Sequence, residues 1–149
     1  NIKLIIAGNT TIKSKYSKKM KNKINMLNKK GLDIELIGTV KNTSDIYNNT
    51  DILIFPSKKP HQSRPLFEAG FYKIPVIITE NEIINERIKN GFNGFKFEEN
   101  NFRSLSEKIE LFVKDPNLIN EMGEKNYYLS LKNHKFEDVK VNLLKAIEE

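Results

Sequence analysis

Apolar residues along this chain follow two alternating rhythms. Short unbroken runs, rich in β-branched residues, fall at 2–7 (IKLIIA), 34–37 (IELI), 51–55 (DILIF) and 74–78 (IPVII). Runs of this length bounded by Gly, Asn, Thr or Pro predict strands buried on both faces, as in a parallel sheet. Between them the spacing changes to three and four. Tyr16, Met20, Ile24 and Leu27 make one apolar stripe over 13–30, closed by Gly31, which predicts an amphipathic helix. A short turn of helix is predicted over 44–49 with Ile46 and Tyr47 inward, and a helix over 80–90 with Ile84 and Ile88 on one face, closed by Gly91. Leu105, Ile109 and Phe112 predict another over 101–113. Asp115-Pro116 is a start signal, cap followed by first-turn proline, for a helix carrying Leu118, Ile119, Met122 and Tyr127. A last helix is predicted from about 136, with Val139, Leu143 and Ile147.

Strand alternating with helix over one length of chain, with no internal repeat or low-complexity linker, predicts an α/β fold: a Rossmann-like, doubly wound parallel sheet with flanking helices. The organising stretch is 51–79, DILIFPSKKPHQSRPLFEAGFYKIPVIIT. It reads as strand, polar loop, short helix, turn and strand. Pro65 suits the first turn of that helix, with Ser63 or Arg64 as its cap. A helix N-terminus at the carboxyl end of a parallel strand presents free N–H groups and the positive end of the macrodipole, which together suit an anion.

Composition narrows the chemistry. The 149 residues suit one core, and the absence of cysteine rules out disulfides and thiol catalysis. No apolar run approaches the ~18 residues of a membrane span, and no signal peptide opens the chain. The first residue is Asn1, so a piece of a longer polypeptide is expected. The net charge of +6 is concentrated in lysines, among them Lys15, Lys18, Lys19, Lys21, Lys23, Lys29 and Lys30 around the first helix. These read either as a solvated face or as a surface for anionic lipid headgroups. There is no serine-nucleophile motif, metal-ligand cluster or Gly-x-Gly-x-x-Gly fingerprint, and His61 and His134 are too far apart to be paired from sequence.

The 51–79 stretch resembles the donor-binding signature of the C-terminal domain of GT-B glycosyltransferases of the family 4, or group 1, type. The resemblance is carried by Pro56-Ser57, Glu68-Ala69 and Pro75-Val76-Ile77. Asn93-Gly94-Phe95-Lys96-Phe97 resembles that family's next strand, and Glu86 matches the glutamate before it. The chain departs from the pattern at Pro60, where the family has its first glutamate, and at His61-Gln62-Ser63-Arg64, which replace a glycine loop. Lys73 stands where the family has a glycine before the strand, and Glu82 and Ile83 replace another glycine pair.

The resemblance implies that 1–149 is a single donor-binding domain, part of a two-domain chain whose missing N-terminal half binds a saccharide or lipid-linked acceptor. It further implies an upstream strand and helix bearing an arginine and a lysine for the donor diphosphate. The implied activity is transfer of a sugar from a nucleotide-sugar, of hexosyltransferase type and retaining, with no bound metal or cofactor. The isolated domain is expected to be inactive. Glu68 would accept hydrogen bonds from the ribose and Arg64 would face the diphosphate. Ser63, Gln62 and Leu66 would lie beside the sugar-phosphate, and the glycine turns at Gly8 and Gly38–Val40 beside the nucleotide. No residue is identified as catalytic. Gly38–Val40 is equally an ordinary strand-to-helix turn, and Arg64 equally a surface arginine. The implied location is cytoplasmic, with peripheral contact at the inner membrane face and no nucleic-acid partner. The alternative is a non-catalytic GT-B-like nucleotide-binding or assembly module. A GT-B-shaped epimerase and a flavodoxin-like domain are further readings that alternation alone leaves open.

Overall fold

The computed structural model of the chain describes residues 2–8, 15–57, 64–80 and 87–134, the side chains of the last two excepted. It forms two compact units, Asn1–Ser44 and Asp45–Glu149.

In the first unit, strand β1 (Lys3–Ala7) pairs in parallel with β2 (Asp33–Gly38), connected through helix α1 (Lys15–Asn28). Register runs from Lys3 opposite Asp33 to Ile6 opposite Leu36, then skips Ile37 so that Ala7 faces Gly38. The extra residue bends β2 at its carboxyl end, where Gly38 takes a φ of 72°. Asn28 ends α1 by clamping the next strand. Its amide donates to the Ile34 carbonyl at 2.8 Å and accepts from the Ile34 N–H at 3.0 Å. Ile24 is buried, and Met20 and Leu27 are half-buried, as the stripe predicts. Tyr16 is not part of it. At 71 % exposure it lies on the outer side of α1.

In the second unit, α2 (Ser44–Tyr47) leads to a parallel sheet of order β3 (Leu53–Phe55), β4 (Val76–Thr79), β5 (Gly94–Phe97). The central strand is buried along its whole length. Its alternation divides the core into two layers. Val76 and Ile78 pack with Tyr47, Ile74, Ile88 and the Leu66 and Ala69 face of helix α3 (Arg64–Phe71). Ile77 points the other way, with Phe95 and Phe97 onto Phe112 of α4 (Phe102–Lys114) and Met122 of α5 (Asn117–His134). The fold is therefore α/β, with parallel sheets and flanking helices.

Local signals hold where the side chains carry them. Asn101 caps α4 by accepting from the Arg103 and Ser104 N–H groups, both at 3.0 Å. Asp115 accepts from the Asn117 N–H at 3.1 Å and so starts α5. The helix expected over 80–90 is not continued by its described end. Residues 87–90 are non-helical, Asn90 bridges to Gly94, and Gly91 forms a turn at φ 78°. The side chain of Asn93 takes over there, accepting from the Lys89 N–H at 2.8 Å and donating to the Arg87 carbonyl at 3.2 Å. Ile88 is buried as expected. Ile84 and the last predicted helix lie outside the described residues.

Candidate functional site

The site grows from the carboxyl ends of the second unit's strands. β3 ends at Phe55 and passes into Pro56-Ser57, with the Ser57 N–H donating back to the Phe55 carbonyl at 3.0 Å. The chain re-enters as α3 at Arg64, one residue ahead of the proline, which leaves Pro65 in the first turn where its missing N–H costs no intrahelical bond.

Eight residues of α3 sort themselves by helical geometry. Leu66 and Ala69 face the sheet. Arg64 and Glu68, one turn apart, share the opposite side and form an ion pair, Arg64 Nε to Glu68 Oε1 at 3.3 Å. The Arg64 side chain is 83 % exposed and that of Glu68 28 %. Arg64 is not where helix stability would put a cation. No acidic residue stands in the first turn, and a positive charge at the positive end of the macrodipole costs about 0.3–1 kcal/mol. The exposed i,i+4 pair with Glu68 returns only about 0.3–0.5 kcal/mol.

Tyr47, at the end of α2, is buried near the Glu68 carboxylate. The Tyr47 ring stacks on Tyr72, with centroids 5.1 Å apart and planes at 25°. Burial raises the Tyr47 pKa well above its usual value, and the neighbouring carboxylate adds to the rise. The phenol therefore keeps its proton. One residue before Glu68, Phe67 lies under the guanidinium of Arg87. Burial pushes the Arg87 pKa down to about 10, which leaves it cationic at neutral pH. A largely apolar groove of about 240 Å³ opens at the carboxyl ends of all three strands, lined by Pro56, Thr79, Phe97, Asn100, Phe102 and Leu105 among others.

Glu68 and Arg64 are thus brought together as a pair. Leu66, expected beside the ligand, is instead a core residue with 1 % exposure. Two positions before Glu68 on a helix is the opposite side, so its side chain packs against β4 and only its backbone is near the helix start. Gly8 and Gly38 are joined in the first unit by a hydrogen bond from the Gly8 N–H to the Gly38 carbonyl at 2.8 Å, and Val40 is half-buried nearby in sequence. Gln62 and Ser63, with Pro60, His61, Glu82, Ile83 and Glu86, lie outside the described residues, as does the His134 side chain. Tyr47 and Arg87 were not legible as site residues. Tyr47 sits on an apolar stripe and reads as core, and nothing in the spacing around Arg87 points to Phe67.

Lys73 accounts for one departure from the signature. The Ile74 N–H donates to the Ala69 carbonyl at 2.9 Å and the Lys73 N–H to the Gly70 carbonyl at 3.1 Å. This is the double-bonded helix end in which one residue must be left-handed. Lys73 adopts it, at φ 58°. The backbone conformation that a glycine serves is kept without the glycine, and the Lys73 ammonium is anchored on Glu124 at 2.7 Å.

The sequence model of the family described as Glycosyl transferases group 1 matches residues 1–128. The chain is similar to the capsular polysaccharide biosynthesis glycosyltransferase CapM of Staphylococcus aureus, with 30 % identity over 91 residues, covering 61 % of this chain and 24 % of that protein. Among solved structures it superposes on HepE of Anabaena in complex with UDP with a TM-score of 0.87 at 15 % identity, covering 99 % of this chain and 41 % of the other. A glycosyltransferase from Rickettsia africae gives 0.85 at 22 %, covering 100 % and 41 %. The C-terminal domain of the glycosyl transferase group 1 family protein LpcC of Francisella tularensis gives 0.70 at 25 %, covering 83 % and 66 %. The chain spans 24 % of the length of the curated relative and 41 % of each of the two larger structures.

Proposed function

This chain belongs to the glycosyl transferases group 1 family, and from that premise we propose that it is the donor-binding part of a retaining glycosyltransferase, of hexosyltransferase type, that acts on a saccharide or lipid-linked acceptor. The observation that carries this reading is the Arg64–Glu68 pair on the outward side of α3, at the carboxyl end of β3. Ligands of open α/β sheets lie at that edge. Glu68 accepts hydrogen bonds from the ribose hydroxyls of the nucleotide. Arg64 exchanges its weak surface pair for the diphosphate, where its charge and the α3 N–H groups act in the same direction. When the bond from the anomeric carbon to the diphosphate breaks, negative charge grows on the departing phosphate oxygens, and these positive groups stabilise it. The acceptor is held by another part of the full polypeptide. Residues 1–149 by themselves bind donor without transferring sugar. The polypeptide works in the cytoplasm, in contact with the inner face of the membrane; no helix among the described residues is long and apolar enough to cross one.

HepE was solved with UDP and with UDP-glucose, so a uridine nucleotide is the first donor to test. Calorimetric titration of UDP, GDP and ADP into the full natural polypeptide should show one preferred base. Glu68→Ala should weaken that binding about 10- to 100-fold, the equivalent of one charge-assisted hydrogen bond of about 1.5–3 kcal/mol. Unchanged affinity in a folded Glu68→Ala protein would remove the reading. Pro60, where the family pattern has a glutamate, favours a second one: a domain that binds the nucleotide without transferring sugar. Turnover of a nucleotide-sugar by the full polypeptide decides between the two.

A further inference from the structure

Helix α3 has eight residues, too few to hold a shape or a direction without packing. Its inward side is fixed by Leu66 and Ala69, which pack with Val76 and Ile78 of β4. A run of polar contacts starts beyond its last turn and returns to its first. The Asn126 amide donates to the Ile74 carbonyl at 2.8 Å. Asn126 in turn accepts from Asn93 at 3.0 Å, and the same Asn93 nitrogen donates to the Arg87 carbonyl at 3.2 Å. The Lys89 N–H donates to Asn93 Oδ1 at 2.8 Å, so the backbone is held on both sides of the buried Ile88. From that base the Arg87 guanidinium lies over the Phe67 ring, its central carbon 2.9 Å from the centroid. Phe67 is the residue before Glu68.

We propose that Arg87 is a positioning residue: by stacking on Phe67 it sets the direction of the first turns of α3, and so aims the Glu68 carboxylate at the ribose of a bound nucleotide. This rests on the reading of Glu68 given under the proposed function. An apolar side chain would cover the Phe67 ring as well, and burial works against a charge in that place. What a guanidinium adds is orientation, because its flat face stacks on the flat face of the ring and fixes the ring's plane. Successive helical residues are about 100° apart, so a turn that rolls to release Phe67 swings Glu68 by the same angle. Asn93 and Asn126, both buried, tie the backbone beneath Arg87 to the far end of the same helix. Arg87 acts on the ligand through Phe67 and does not touch it.

The test compares UDP with 2′,3′-dideoxy-UDP, titrated calorimetrically into the full natural polypeptide and its variants. Wild type is expected to prefer UDP. Arg87→Met keeps apolar cover over the ring and removes the planar cation. It should weaken UDP binding about three- to tenfold, the scale of one cation–π contact, and leave the dideoxy compound unchanged. Phe67→Leu, which removes the ring and keeps the arginine, should do the same, and it carries the test if Arg87→Met does not fold. Because Arg87 works through Phe67, the double variant should lose no more than either single one. Additive losses would overturn the proposal. Equal losses for both nucleotides, or no loss for either, while Glu68→Ala abolishes the preference, would also overturn it and leave Glu68 standing. A wild type without preference, or a Glu68→Ala protein that keeps it, would overturn the ribose reading and the proposal together.

Discussion

Tyr47 buries an ionisable group in an apolar core. Because burial, aided by the nearby Glu68 carboxylate, disfavours its charged form, the folded chain holds the phenol's proton more tightly than the unfolded chain, whose value is near 10.0. A group whose pKa is raised on folding contributes stability that is fully present below the unfolded value and is lost as pH rises above it. The second unit should therefore weaken above about pH 10. In Tyr47→Phe, urea melts followed by circular dichroism should lose that part of the alkaline decline while remaining similar to wild type at pH 7. Identical alkaline profiles for the two proteins would show that burial does not hold the proton on the phenol. Glu68 was legible as a site residue from its place in a matched signature. The burial of Tyr47 with Leu66 and Ala69 of α3 was not, because it exists only after the chain has folded back over β3.

At the scale of elements, the packing of α3 on α5 depends on small residues. A Cβ on Gly123 would fall 2.0 Å from the Lys73 carbonyl oxygen, and one on Gly70 would fall 1.9 Å from Ser130 Oγ. The first obstacle is backbone and cannot move aside. In an isolated helix Gly→Ala would stabilise by about 1 kcal/mol; here Gly123→Ala should destabilise by about 1–3 kcal/mol through overpacking. A thermal melt reads the sign directly, and a higher midpoint would contradict the close approach. Asn126 completes the contact, donating to the Ile74 carbonyl at 2.8 Å and accepting from Asn93 at 3.0 Å, with both asparagines buried. These bonds fix the turn that follows the left-handed Lys73. Sequence predicted α5 and its apolar side. It could not show that Gly123 is there for clearance, since a mid-helix glycine reads locally only as a weak helix former.

Across the whole molecule, the two units differ in how much they bury. Among the described residues of the first, Ile24 is the one buried apolar side chain; the second carries two layers about a fully buried β4. A two-stranded sheet is marginal without a packed face. Local opening free energy follows buried contact. Amide hydrogen exchange should therefore be faster in β2 than in β4 by at least about tenfold. Equal protection would mean that the first unit is as strongly held as the second.

By itself, the sequence determined what local rules determine. Apolar runs bounded by turn residues set β1 to β4, with β2 to within a residue, and the family resemblance pointed to β5. Three-and-four spacing set α1, α4 and α5, and Asn101 and Asp115 set two helix starts through their own side chains. The spacing of Pro56, Glu68 and Pro75-Val76-Ile77 pointed to the family. Tertiary structure decided the rest. It put Tyr16 outside, took residues 87–90 out of a helix, and sent Leu66 to the core while Glu68 faced out. It also set Arg87 over Phe67 and asked Lys73 for a glycine's conformation. The physical reason is range. Periodicity and capping act within a turn or two of chain, whereas burial, hydrogen-bond partners and clearance are set by residues that are neighbours only in space.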